Sequence, residues 1–82
     1  MSDTELLSRI TANQNTLGGK PAIRNIRISV ELILSLMAQG ADQAELLDDY
    51  PDLEPEDIRA CIAYAHAVVS GDSIDAVTVE SV

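Results

Sequence analysis

Apolar and polar positions alternate at helical spacing along most of this 82-residue chain. The clearest stripe is Val30, Ile33, Leu34 and Met37, an i, i+3, i+4, i+7 pattern that predicts an amphipathic helix. Leu32 and Leu36 widen its apolar arc beyond one face. Ser29 is placed to cap the start, Glu31 sits in the first turn where the helix dipole favours a carboxylate, and Gly40 is placed to end it. A shorter helix follows, with Asp42 as cap and Glu45 three residues on, an Asp version of the capping box. Its inner face reads Ala44, Leu47 and Tyr50, with Leu46 beside them, and Pro51 closes it. A third helix begins at Pro55 with Glu56 and Asp57 in its first turn. Ile58, Cys61, Ile62, Ala65 and Val69 fall within an arc of about 100° on the helical wheel, and Gly71 is the natural stop. The opposite face reads Glu56, Ala60, Ala63 and Ala67, flanked by Arg59, His66 and Ser70.

Upstream the period changes. Residues 4–9 predict a short helix capped by Thr4 or Asp3, and "ITANQNTLGG" has the Asn and Gly content of a turn. In "AIRNIRIS" the side chains of Ile26 and Ile28 fall on one side with Arg27 opposite, which favours a short strand or extended arm. Pro21 keeps Lys20 extended and suits an edge position. The tail "SIDAVTVESV" reads as a frayed end or as a strand pairing outside the monomer. The chain divides into an N-terminal segment (1–16), a domain with its arm (17–71) and a C-terminal tail (72–82). The fold class is mostly α. An extended β arm or short hairpin precedes three helices, the last two joined by a turn at Tyr50–Glu54, which is the connectivity of a helix-turn-helix unit.

Composition narrows this picture. A chain of this size buries only about 60–65% of the surface its unfolded form exposes. The core must be thin, with two Tyr and no Phe or Trp. Self-association adds buried area, so a homodimer is expected. One cysteine, Cys61, excludes an internal disulfide, and one cysteine with one histidine disfavours zinc. No apolar run is long enough for a membrane span and the acidic N-terminus has no signal-peptide pattern, so a cytoplasmic protein is the default.

Charge is unevenly placed. The net charge is −9. Residues 9–27 hold Arg9, Lys20, Arg24 and Arg27 with no acid, whereas residues 28–82 carry twelve acids against Arg59. Any contact with nucleic-acid phosphate must therefore pass through Lys20, Arg24, Arg27 and Arg9, and four cations support at most weak, salt-sensitive DNA binding. The competing reading is that these cations pair with the chain's own carboxylates. Glu54, Glu56 and Asp57 at the start of the third helix would repel phosphate, which argues against that helix reading a major groove. The small side chains of Ala60, Ala63 and Ala67, together with Leu32 and Leu36, are candidate interface positions, although alanine is also simply a good surface helix former. His66 reads as a solvated surface histidine, Cys61 as core, and Asp48, Asp49 and Asp52 as a solvated face lacking calcium-loop spacing. Gly18-Gly19-Lys20 lacks the spacing of a phosphate loop. No catalytic constellation, metal site, cofactor site or small-molecule substrate is indicated, so an enzyme is not expected.

From Leu17 to about Val69 the chain resembles the family called domain of unknown function 433. The matching residues are Gly19, Lys20, Pro21, Ile23, Arg24, Arg27, Ile28 and Val30, then Gly40, Tyr50, Pro51, Leu53, Asp57 and Ile58. Asn25-Ile26 stands where the family pattern has Gly-Thr, and Ser29 where it has Pro. The resemblance implies a small winged-helix or helix-turn-helix-like domain and an antitoxin-like role beside a PIN-type nuclease, with no catalytic residues. The expectation is an antitoxin-like module binding a basic nuclease and DNA through its arm. The alternatives are a DNA-binding regulator without a toxin, or a homodimeric domain with no nucleic-acid role.

Overall fold

The structure is a computed structural model that describes residues 2–13, 17–24, 26–71 and 78–80. Asn15 and Asn25, expected at turns, and most of the C-terminal tail lie outside the described residues.

The first helix, α1 (Asp3–Leu7), starts from Ser2, whose hydroxyl accepts the Glu5 N–H at 3.2 Å. The cap is thus one residue before Asp3 and two before Thr4, the expected positions. Strand β1 (Ile10–Asn13) follows, where turn chemistry alone was expected. A 3₁₀ turn at Leu17–Gly19 leads into β2 (Ala22–Ile23), which runs antiparallel to β1 with Ile10 opposite Ile23 and Thr11 opposite Ala22. The arm is therefore a hairpin. It also folds back on its other side, since the Ile23 N–H donates to the Ile28 carbonyl at 2.9 Å and the Val30 N–H to the Pro21 carbonyl at 3.0 Å. Arg24, Ile26 and Arg27 lie within that second turn. Strand β3 (Thr78–Glu80) lies parallel to β1 on its free side, giving the order β2-β1-β3. The tail's strand thus pairs within its own chain, where a pairing outside the monomer was one expectation.

The remaining helices begin and end where local chemistry dictates. In α2 (Val30–Ala38) the Ser29 hydroxyl accepts the Leu32 N–H at 3.0 Å. At its end the Gly40 N–H donates to Met37 and the Ala41 N–H to Leu36, the paired bonds of a Schellman stop, with Gly40 at φ 105°. In α3 (Gln43–Asp49) the Asp42–Glu45 capping box forms in both directions. The last helix, α4 (Pro55–Ser70), has Pro55 at its first turn and left-handed Gly71 at its end. Four α-helices and the antiparallel β1–β2 hairpin make a mostly helical fold among the described residues.

Ile10, Ile23, Ile33, Leu46 and Cys61 are the large fully buried apolar side chains, so the core draws on the hairpin, α2, α3 and α4 together. Ile26, Ile28, Leu36, Leu47 and Tyr50 pack partly against it. Two inner faces differ from the expected ones. In α3 it is Leu46 that is buried, while Ala44 is exposed. In α4 the buried residues are Asp57, Ile58, Ala60, Cys61 and Ala67, whereas Ile62 is 47% and Val69 87% exposed. The helix is turned so that Asp57 and Cys61 face inward. The apolar count missed this because the residue at the centre of the face is charged.

Candidate functional site

Asp57 is the one charged side chain with no exposure among the described residues. It sits in the first turn of α4, where helix geometry leaves backbone N–H groups without partners. Its Oδ2 accepts the Glu54 N–H at 2.9 Å, which closes the start of the helix. Two guanidinium groups arrive from the hairpin. Arg24 grips the carboxylate with both arms of its fork, Nε to Oδ1 at 3.0 Å and Nη2 to Oδ2 at 2.5 Å. Arg9, just before β1, donates from Nη1 to Oδ1 at 3.0 Å and to Glu54 Oε1 at 2.7 Å. Arg24 Nη2 also reaches the Asp52 carbonyl at 3.0 Å. A buried carboxylate is tolerated only when paired and hydrogen-bonded, and here every lone pair that faces the protein has a donor.

The hairpin pre-sets this grip. The Arg24 backbone is left-handed, at φ 44°, a conformation that costs a non-glycine residue about 1–2 kcal/mol. It is held there by its N–H donating to the Arg9 carbonyl at 2.7 Å and by Thr11 Oγ1 donating to its carbonyl at 2.8 Å. The two arginines are thus tied backbone to backbone before both side chains reach α4. Burial by itself would push the Asp57 carboxyl up, but hydrogen bonds from Arg24, the Glu54 N–H and Arg9 outweigh it and hold the group below the usual carboxylate range. Arg24 is raised through its hydrogen bonds to Asp57, and Arg9 through those to Glu54 and then Asp57. At neutral pH Asp57, Arg9 and Arg24 stay charged, so the carboxylate and its two guanidinium partners have no proton to exchange. Its chemistry is that of a clamp between the hairpin and α4.

The other expected contacts fall elsewhere. Lys20 is exposed and pairs with Glu31 at 3.1 Å. Arg27 is exposed in the turn after β2, left-handed at φ 60°, and makes no ion pair among the described residues. The four cations therefore do not converge into one patch: two turn inward, one pairs on the surface, and one projects. Of the small-residue stripe, Ala60 and Ala67 are buried in the chain's own core and only Ala63 is half-buried. Leu32 is partly exposed on α2, while Leu36 packs against the core. Cys61 is fully buried, and burial followed by the nearby Asp57 charge pushes its thiol up to about 12. No group of three or more His, Cys, Asp or Glu among the described residues is arranged to hold a metal ion. The sequence reading missed Asp57 as the organising residue, having placed it on the exposed start of the helix as a first-turn acid that would repel phosphate. The legible signal was a pair of arginines at either end of a hairpin facing a first-turn acid.

Residues 10–65 match the family described as Protein of unknown function (DUF433). The chain belongs to the DUF433 family. The matched span runs from β1 into the last turns of α4, so it contains the hairpin, Arg24 and Asp57, and begins one residue after Arg9. The fold is similar to the crystal structure of a DUF433 member protein from Anabaena variabilis, with a TM-score of 0.66 and 35% identity, covering 87% of this chain and 68% of that one. The sequence is also 33% identical over 58 residues to the uncharacterized protein y4eO of Sinorhizobium fredii. That match takes in 71% of this chain but 26% of the relative, so this DUF433 chain spans about a quarter of its length. No helix among the described residues is long and apolar enough to cross a membrane.

Proposed function

We propose that this DUF433 chain is an antitoxin-like interaction module whose acidic surface binds a basic nuclease partner of the PIN type in the cytoplasm. The observation that carries the reading is where the positive charge goes. Arg9 and Arg24 are committed to Asp57 and Glu54, so the segment that looked most suited to phosphate is largely neutralised from within. The surface along α3 is acidic: Asp42, Glu45, Asp48, Asp49 and Asp52 are all exposed along α3 and the turn after it. Opposite charge on a partner would speed encounter and select against wrong partners. Self-association fits the same scheme, because Pro21, Val30, Leu34 and Tyr64 line an apolar groove of about 490 Å³ beside α2. A homodimer seated there would leave the α3 face free. DNA contact is the minor part of the proposal and rests on Arg27 and Lys20 alone.

Co-expression with the product of the adjacent gene, followed by pull-down at rising salt, tests the reading. Capture of that product, lost between about 0.1 and 1 M salt as screening grows, is expected. A monodisperse protein that captures no neighbour would overturn it. A gel shift against the chain's own promoter that responds to Arg27→Ala would favour a DNA-binding regulator instead.

A further inference from the structure

One face of α4 carries the opposite character to the α3 surface. Arg59, Ile62, Ala63 and His66 line a groove of about 310 Å³ whose far wall is Leu6 of α1. Arg59 and His66 are seven residues apart, which puts them on one side of the helix and about 10 Å apart along its axis. Between them Ile62 is left 47% exposed. None of the side chains lining the groove is a carboxylate, on a chain that holds 14 acids against five bases. Arg59 forms no ion pair among the described residues, even with Glu56 one turn before it. The groove is therefore an apolar floor with an N–H donor at each end.

We propose that this groove docks a short acidic amphipathic helix of a partner protein. The chemistry of the occupant follows from the lining. One carboxylate meets the Arg59 guanidinium, a second about seven residues along meets the His66 ring, and a leucine-sized side chain between them covers Ile62 and Ala63 against Leu6. A helix fits better than an extended strand, because α1 and α4 offer no sheet edge and a helix satisfies its own backbone groups. The surface is separate from the acidic α3 face, so the module has two docking faces of opposite charge and can join two different partners.

The test is an amide-resolved NMR titration of the full chain with a 14-residue helical peptide carrying two Glu seven residues apart and a Leu between them. A second peptide has Lys in place of both Glu. The expected result is that the Glu peptide shifts the amides of Leu6 and of residues 59–66, while the Lys peptide does not. Arg59→Glu is expected to weaken the Glu peptide at least tenfold and to admit the Lys peptide, with unchanged circular dichroism showing that the fold is kept. Ile62→Ala, which leaves the charges in place, is expected to weaken the Glu peptide as well. Equal binding of both peptides, shifts centred on another face, or insensitivity to Arg59→Glu would overturn the proposal. So would shifts of residues 59–66 that grow with protein concentration alone, since a second copy would then be the occupant.

Discussion

Replacing Asp57 with Asn removes the charge that two guanidinium groups converge on while keeping the shape. In the native protein Asp57 accepts three N–H groups from Arg9 and Arg24 and one from the Glu54 backbone. Asn leaves one oxygen to accept and turns an amide donor towards donors. Hydrogen bonds to charged groups contribute about 1.5–3 kcal/mol each, so losing the three guanidinium bonds has a gross cost of about 5–9 kcal/mol. Two effects reduce it. The desolvation cost of the carboxylate disappears with its charge, and the Arg9 and Arg24 side chains, 22% and 36% exposed, can turn to water. The net loss expected is about 3 kcal/mol, the low end for breaking a buried pair. That is a large part of the roughly 4–12 kcal/mol total for a domain of this length. It corresponds to a fall in Tm of about 12–24 °C. Urea unfolding followed by circular dichroism gives the value directly. A double-mutant cycle with Arg24→Ala should show strong coupling between the two positions, of at least about 1 kcal/mol. A loss below about 1 kcal/mol for Asp57→Asn, or additive effects in the cycle, would refute the clamp.

The same carboxylate sets the acid response. Because its pKa is lowered on folding, its contribution is present at neutral pH and is lost as pH falls below about 4 through the lowered value. Unfolding midpoints of the native chain should therefore drop steeply in that window, and those of Asp57→Asn should drop less. The raised and fully buried Cys61 thiol should resist a thiol reagent at pH 8 in the folded protein and react at once in urea, and equal rates in both would contradict its burial. Arg27→Ala should leave stability within about 0.5 kcal/mol by the same urea assay, since its side chain is exposed and makes no ion pair among the described residues, whereas Arg24→Ala should not. Asp42→Ala should cost about 1 kcal/mol through loss of the α3 cap, read as a lower urea midpoint.

The Arg27 prediction also bears on how DNA binding is tested. A gel shift lost in Arg24→Ala would be ambiguous, because that residue holds the hairpin to α4. Arg27 and Lys20 are the clean probes.

Chemistry between near neighbours in the chain fixes the helix ends. Ser29, Asp42 with Glu45, Pro55, Gly40 and Gly71 mark helix ends through bonds that span three to five residues, and each appears where its chemistry demands. An extended arm or short hairpin was legible in outline from Pro21, but β1 formed where turn chemistry was read and Ile26 and Ile28 fall beyond β2, while the charge split was legible from a count. The tertiary structure decided the partners through space. Whether an arginine faces phosphate, solvent or its own chain depends on a carboxylate 33 residues away in the case of Arg24 and 48 in the case of Arg9. It also decided which way α4 faces. A buried charge is favourable only when donors from another element meet it, so the inward turn of Asp57 could not be read from the period of α4 alone. With Asp57 inside, Ala60 and Ala67 become core and Ile62 moves out towards Arg59 and His66. One paired carboxylate thus sets both the closed face of the helix and the face left exposed.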